Sequence, residues 1–240
     1  MFSLASCVGK PPDSAHLAGL KRVSVISALG EELRLQETAT LIFGNTLNSG
    51  NIADWKLDAF IADEMAHALA GRYDVRKVNY SASDFRSKAG GAELGAAVRE
   101  HVKAEDGQSL DAYLVVVPTT RQDSVFGTTA QLTGLTLYRR GAFGMHNDAV
   151  VTVAKVVVID GHDFHQIGWT WLLAGESLGD SLVRASWLSP GRYFRVVPGE
   201  LWSEKFEGLT QDQKDKLRGE FVALLKDEIP HTVQTLKLSE

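Results

Sequence analysis

Two short segments of this chain contain residue types that could perform catalysis or bind a metal. The first is Gly179-Asp180-Ser181-Leu182, which matches the nucleophile motif of one class of esterases. That chemistry needs the serine on a turn early in the fold, with an aspartate and a histidine downstream to activate it. Here the motif lies late in the chain, and the nearest downstream pair, Asp227 and His231, is on a predicted helix. We therefore interpret the motif as a chance match and keep a hydrolase as the least favoured alternative.

The second segment is rich in histidine. His162, Asp163 and His165 follow a predicted strand, and His146 and Asp148 lie in the preceding loop. Imidazole and carboxylate groups are ligands that suit zinc and similar ions. In an extended segment, however, His162 and His165 would point to opposite faces, because side chains alternate along a strand. We expect a solvated hairpin tip and no bound metal, and we keep His162, Asp163 and His165 as weak candidates.

The only cysteine, Cys7, follows Leu4-Ala5-Ser6. This tetrapeptide resembles the lipobox of bacterial lipoproteins, in which the cysteine receives a lipid and becomes the new N-terminus. Only six residues precede Cys7, which is too short for a secretory signal, so this interpretation requires a start further upstream. Residues 8–19 include two prolines and predict a tether. We expect a truncated leader and tether over residues 1–20; the alternative is a free thiol on a cytoplasmic tail.

Composition narrows the class of protein. Hydrophobic residues make up 44% of the chain and charged residues 23%, which is typical of a globular protein. A net charge of −5, with no basic run longer than two residues, argues against a nucleic-acid partner. One cysteine allows neither an internal disulfide nor a cysteine metal site. No apolar stretch approaches the ~18 residues of a transmembrane helix, and no motif indicates a cofactor.

Strands and helices alternate along the chain. Alternating apolar residues predict strands over 22–29 and 33–43, which we interpret as a hairpin, followed by a polar loop over 44–51. Residues 112–118 have no polar side, so we expect a central strand buried on both faces. Further strands are predicted over 73–80, 133–140, 149–159 and 166–173, and helices over 54–71, 91–104 and from Thr210 to about Pro230. The pattern predicts one α/β domain over residues 21–240, with helices packed on a single mixed sheet and a long C-terminal helix.

Three of these segments carry a resemblance to a known group of proteins. They are RVSVISALG (22–30), DAYLVVVP (111–118) and the hairpin VVTVAKVVVIDGHDFHQIGW (150–169). Over residues 21–173 the chain resembles bacterial envelope lipoproteins that share the α/β periplasmic domain of the curli-secretion lipoprotein and the Tol-system propeller protein. The turn Gly161-His162-Asp163 departs from the Thr-Gly common in that family. The resemblance implies a role in binding or assembly at the cell envelope, with no catalytic residues to carry over.

The segment 119–148 is the candidate contact surface. It leaves the carboxyl end of the predicted central strand, where ligands of open α/β sheets tend to bind. Apolar side chains stand among its glycines, as is common on contact loops. We predict that four of its residues contact a ligand or partner: Arg121, Phe126, Phe143 and Met145.

These observations favour a non-catalytic envelope lipoprotein that binds another envelope protein or associates with itself. The alternative is a periplasmic protein that binds a small ligand beside Arg121. In both cases we expect a periplasmic location with a lipid anchor as the only membrane attachment, at the outer rather than the inner membrane. A cytoplasmic location follows if the match at Cys7 is accidental.

Lipidation of Cys7 is directly testable in cells that express the full-length gene. We expect the wild-type protein to incorporate a labelled fatty acid and the Cys7→Ser variant to incorporate none, because the thiol is the acceptor of the lipid. Gel fluorography of both proteins after metabolic labelling measures the difference. Equal labelling of the two proteins, or no labelling of either, would contradict the prediction.

Overall fold

The computed structural model describes residues 9–39, 45–105, 107, 109–123, 128–142, 145–172 and 194–238. Five helices lie within these ranges: α1 (Ser14–Gly19), α2 (Leu57–Leu69), α3 (Ser83–Arg86), α4 (Gly91–His101) and α5 (Gln211–Thr235). The strands are β1 (Arg22–Ser27), β2 (Glu32–Ala39), β3 (Thr46–Asn51), β4 (Asp74–Val75), β5 (Val78–Asn79), β6 (Lys103–Ala104), β7 (Ala112–Pro118), β8 (Thr120–Gln122), β9 (Gln131–Ala142), β10 (Met145–Asp160), β11 (Gln166–Trp171) and β12 (Phe194–Val197). All the strands except β5 and β6 belong to one large mixed sheet.

The long strand β10 organises this sheet. Its first half pairs with β9 and β12, and its second half pairs with β7 and β11, all antiparallel. The end of β7 meets the start of β9, because Thr119 N donates to Val153 O and Gly134 N donates to Thr119 O. Gly134 has a φ of 61°, a left-handed conformation that suits glycine. β7 and β9 therefore lie end to end along one side of β10.

The strands β1 and β2 lie end to end in the same way, next to β7 and β9. β1 pairs parallel with β7, and β2 pairs parallel with β9. No ladder joins β1 to β2, so the prediction that they form a hairpin is wrong. The physical reason lies in residues 28–31, which continue the direction of β1 instead of reversing it. The carboxylate of Asp58 accepts the Leu29 N–H at 2.8 Å and the Gly30 N–H at 2.9 Å and so fixes this connection.

Helices cover both faces of the part of the sheet that contains β7. The central strand β7 alternates its apolar side chains between two cores and is buried on both faces, as predicted. Its even-numbered residues pack toward α2 and α5, and its odd-numbered residues pack toward α3 and α4. The prediction of an α/β fold with one mixed sheet and a long C-terminal helix is confirmed.

Three local predictions differ from the structure. Residues 46–51 form strand β3 rather than a loop, because their backbone pairs with β2 although most of their side chains are polar. The predicted tether is structured from Gly9 onward: Asp13 caps α1, and Lys10 pairs with Trp169 through two backbone hydrogen bonds. The C-terminal helix begins with the predicted Thr210–Gln213 capping box but continues past Pro230 to Thr235.

A buried ion pair ties the C-terminal segment to the sheet. Arg139 on β9 donates to both carboxylate oxygens of Asp148 on β10, each at 2.6 Å. The Asp148 side chain is 1% exposed. Arg139 also donates to Gly199 O at 3.3 Å and lies over the Trp202 ring at 4.7 Å. The pair therefore holds residues 199–202 against the first half of β10.

Replacement of Arg139 tests how much the ion pair contributes to the free energy of unfolding. We expect Arg139→Met to lower the free energy of unfolding by about 3–5 kcal/mol, because it leaves the Asp148 carboxylate buried without its counter-charge. Arg34→Met is the control: it removes a half-exposed pair with Glu32 and should cost under about 1 kcal/mol. Urea unfolding of both variants measures the difference, and equal losses would contradict the role of burial.

Candidate functional site

The candidate site lies where the end-to-end strands meet. β1 and β7 run parallel, and Ser27, the last residue of β1, pairs with Val116, two residues before β7 ends at Pro118. Asp58, in the first turn of α2, closes the break after β1 by accepting the Ser27 hydroxyl at 2.6 Å as well as two backbone N–H groups. The Ser27 hydroxyl is fully buried, so we assign Ser27 and Asp58 a structural role.

Residues 119–133 connect the end of β7 to the part of β9 that pairs with β10, and we call them the β-arm. β8 pairs antiparallel with the first three residues of β9, and this pairing forms the stem of the arm. At its far end the buried Asp123 carboxylate accepts the Thr128 N–H, the Thr128 hydroxyl and the Tyr138 hydroxyl, at 2.8, 2.8 and 3.1 Å. Burial raises the pKa of Tyr138, so its hydroxyl stays protonated and can donate.

Two cations and two aromatic rings meet beside the base of the β-arm. We call Arg121, Lys155, Trp169 and Trp171 the strand-end cluster. The ammonium of Lys155 lies 4.7 Å from the centre of the Trp169 ring, and the guanidinium of Arg121 lies 5.9 Å from that of Trp171. The two tryptophan rings pack edge to face, with centroids 5.8 Å apart and an interplanar angle of 80°. All four side chains are partly exposed, so a ligand can reach them.

The four members of the strand-end cluster come from three parts of the fold. Lys155 is on the second half of β10, Arg121 is on the β-arm, and the tryptophans are on β11. Lys155 pairs with Trp171 and Val157 pairs with Trp169 across β10 and β11, so Lys155 and both rings lie on one face. The site therefore depends on the β10–β11 register and on the return of the arm to the sheet.

The sequence identified one member of this cluster and missed the others. Arg121 was a predicted contact residue, and the structure brings it to Lys155 and the tryptophans. The signal for Lys155 was present, since it is the only charged residue between Ala149 and Ile159. Phe126 and Phe143 lie outside the described residues. Met145 begins β10, and its side chain is outside the described part of the structure.

Two other sequence candidates also lie outside the described residues, namely Cys7 and Ser181. Much of the segment 119–148, the candidate contact surface, belongs to the sheet, because β9 and β10 pair over nine residues each. Among the described residues of the segment, only Thr119, Asp123 and residues 128–130 lie outside strands.

The histidine segment forms the turn between β10 and β11. Asp160 Oδ1 accepts the N–H groups of His162 and Asp163, and Asp163 Oδ1 accepts that of His165. His162 is 71% exposed and approaches Asp111 only to 4.0 Å. Among the described residues, no three histidine, cysteine, aspartate or glutamate side chains form a group that could hold a metal ion. The carboxylates of this turn instead organise its backbone.

No known protein family, curated protein or solved structure is significantly similar to this chain. Within the described residues, no helix combines the length and the apolar character needed to cross a membrane. We therefore infer the function from the geometry of the strand-end cluster and of the sheet edges.

The acidic residues of the turn between β10 and β11 also affect the pKa of His16 in α1. The Asp13 carboxylate accepts a hydrogen bond from His16 Nδ1 at 2.8 Å, and this bond and the charge of Asp13 raise the pKa of His16, which Asp160 and Asp163 raise further. Because the pKa is higher in the folded protein, protonation of His16 stabilises the fold below the usual histidine pKa. This contribution is lost as the pH rises through the folded-state pKa.

We expect Asp13→Asn to lower the pKa of His16, since it removes the closest carboxylate. Titration of the His16 ring protons by NMR measures the change. Asp54→Asn is the control, because Asp54 does not contribute to the shift at His16. An unchanged His16 titration in Asp13→Asn would show that the pair does not persist in solution.

Proposed function

We propose that this protein is a non-catalytic component of the bacterial cell envelope that acts by assembling with other protein molecules, and first with copies of itself. The lipobox-like tetrapeptide ending in Cys7 supports the envelope location. The resemblance to envelope lipoproteins supports it as well, since the three segments that carry it form the adjacent strands β1, β7, β10 and β11. On this proposal the protein is periplasmic and held at the outer membrane by a lipid.

The observation that carries the assembly role is a row of side chains across the sheet. Leu47 pairs with Gln36, Gln36 with Tyr138, Tyr138 with Ala149, and Ala149 with Val196, in consecutive strands. Directly paired residues point to the same face of a sheet. The row therefore begins and ends with an apolar residue, and these two, Leu47 and Val196, are 63% and 65% exposed.

The two ends of this row lie on strands whose outer sides are open. Among the described residues, no strand pairs with the outer side of β3 or of β12. Unpaired edges of this kind accept a strand from another chain. Following the pairings across the sheet, β3 and β12 run in opposite directions. The β3 edge of one copy can therefore pair antiparallel with the β12 edge of the next, with Leu47 of the first beside Val196 of the second.

Such an interface joins two different surfaces of the same protein. Head-to-tail contacts of this type close into rings or continue as filaments, whereas a contact between identical surfaces stops at a dimer. The row would become continuous across each junction, and burial of Leu47 and Val196 would favour association by at most about 1.5–3 kcal/mol per side chain. The proposal therefore specifies a second copy of this chain as the first partner.

The N-terminal segment determines which edge would face the membrane. Lys10 is held against Trp169 of β11 by backbone hydrogen bonds of 2.8 and 2.7 Å. Cys7 lies three residues earlier, and three extended residues span about 11 Å at most. A lipid on Cys7 would therefore hold the β11 edge of the sheet close to the membrane surface.

A second candidate function is the binding of a small ligand in the periplasm. The strand-end cluster favours it, because two cations and two aromatic rings converge there near the carboxyl end of β7, where Lys155 pairs with Val117. This function is compatible with assembly, since the strand-end cluster and the outer sides of β3 and β12 are different surfaces.

The head-to-tail interface predicts a specific mixing result. Leu47→Asp disables the β3 edge, and Val196→Asp disables the β12 edge, so each variant alone should be monomeric. An equimolar mixture contains one intact edge of each kind and should form a dimer with twice the 26.2 kDa mass of the chain. Sedimentation velocity at several concentrations measures the species, and the wild-type protein should form larger ones.

Thr46→Asp is the matched control, since it places the same charge on β3 but on the opposite face of the sheet. It should associate like the wild type. A monomeric wild-type protein at tens of micromolar, or a mixture that stays monomeric, would overturn the proposed interface. Dimers in either single variant would show that identical rather than different surfaces meet.

A further inference from the structure

Lys155 occupies an unusual position for a charged residue. It lies in the middle of β10, and both of its sequence neighbours, Ala154 and Val156, are fully buried. On its own face of the strand it stands between Val153 and Val157, which belong to two separate apolar clusters. A lysine in such a strand gives up hydration around its stem, while its ammonium stays at the partly exposed cluster.

The ammonium of Lys155 has little to bind within the described residues. It forms no hydrogen bond and no ion pair there, and its contact is with the ring of Trp169 at 4.7 Å. A cation over an aromatic ring is attracted to the ring face, but the ring accepts none of the three N–H bonds in the way that an oxygen does. A carboxylate or phosphate oxygen would be a suitable acceptor for these donors.

The surroundings of Lys155 add a second cation and an aromatic wall. Arg121 approaches from the β-arm and lies over Trp171, so positive charge is present at both ends of the tryptophan pair. Carboxylate and phosphate oxygens form their strongest hydrogen bonds with ammonium and guanidinium groups. The indole rings provide apolar area beside these donors, which suits a ligand with a ring or chain next to its charge.

We propose that the strand-end cluster is a binding site for a small carboxylate or phosphate anion, with the ammonium of Lys155 as its primary contact. The indole rings of Trp169 and Trp171 form the wall against which the rest of the ligand packs. This inference rests on the second candidate function, the binding of a small ligand, and is independent of self-assembly.

The test uses benzoate as the carboxylate probe and inorganic phosphate as the phosphate probe, with tryptophan fluorescence as the readout. Choline chloride at matched ionic strength corrects for salt. We expect saturable binding of at least one probe to the wild-type protein. Lys155→Met keeps the apolar stem and removes the charge, so it should weaken this binding at least about tenfold, the effect of losing one charge-assisted hydrogen bond.

Lys214→Met is the matched control variant. Lys214 also lies over an aromatic ring, that of Phe206 at 4.5 Å, but far from the strand-end cluster in the sequence and on a different element. This variant should bind the probe like the wild type. Lys155→Arg keeps a charged donor and should retain most of the affinity. Binding that is absent from the wild type, or equal in Lys155→Met, overturns the proposal.

A second measurement does not depend on any variant. Acetylation of lysines by a neutral reagent, followed by mass spectrometry, reports the accessibility of each amine. The bound probe should slow acetylation of Lys155 and leave that of Lys214 unchanged, and equal rates at Lys155 with and without the probe contradict the site. Leu47→Asp and Val196→Asp should bind the probe normally, so failure of the assembly proposal and failure of this one remain distinguishable.

Discussion

The structure depends on the continuity of β10. Every buried N–H and C=O group of a central strand needs a partner, and β10 meets this demand with different partners along its length. On one side β9 and then β7 pair with it, and on the other side β12 and then β11. The partners change near Val153 and Ala154 on both sides. Neighbouring strands are therefore interrupted at one level of the sheet, and the chain leaves the sheet there.

Each interruption leaves backbone groups that must be satisfied, and both backbone hydrogen bonds and carboxylates satisfy the described ones. Asp58 closes the connection between β1 and β2, and Asp123 closes the end of the β-arm. Lys155 lies at the same level but has an aromatic ring instead of an anion beside it. Asp58 binds groups of the protein itself, whereas the ammonium of Lys155 has no oxygen partner among the described residues. The proposed binding site thus lies at the level where the partners of β10 change.

The edges of the sheet show a similar contrast between protection and exposure. Edge strands are commonly made safe by polar or charged side chains and by shortness. β3 has the polar residues Asn48 and Ser49, and β12 is only four residues long. Leu47 and Val196 are exceptions to this pattern, because each is a large, exposed apolar side chain on an edge strand. The β11 edge, by contrast, is partly covered, because Lys10 pairs with Trp169.

The elements that depend on local patterns could be predicted from the sequence. The apolar run of β7, the alternation in β10, the amphipathic face of α2 and the capping box of α5 each depend on residues close in sequence, and each is present.

Tertiary pairing decided the rest. Nothing local distinguishes a hairpin from the end-to-end arrangement of β1 and β2, which depends on Asp58 and on pairing with strands about a hundred residues away. Likewise, the position of Arg121 after β7 indicated a contact residue. Lys155 is one charged residue in an apolar strand, and only the pairing of β10 with β11 shows that it lies beside Trp169 and Trp171. Sequence by itself therefore determined the fold class and most elements, whereas only the long-range hydrogen-bond ladders decided which side chains meet, because a ladder joins residues that no short pattern connects.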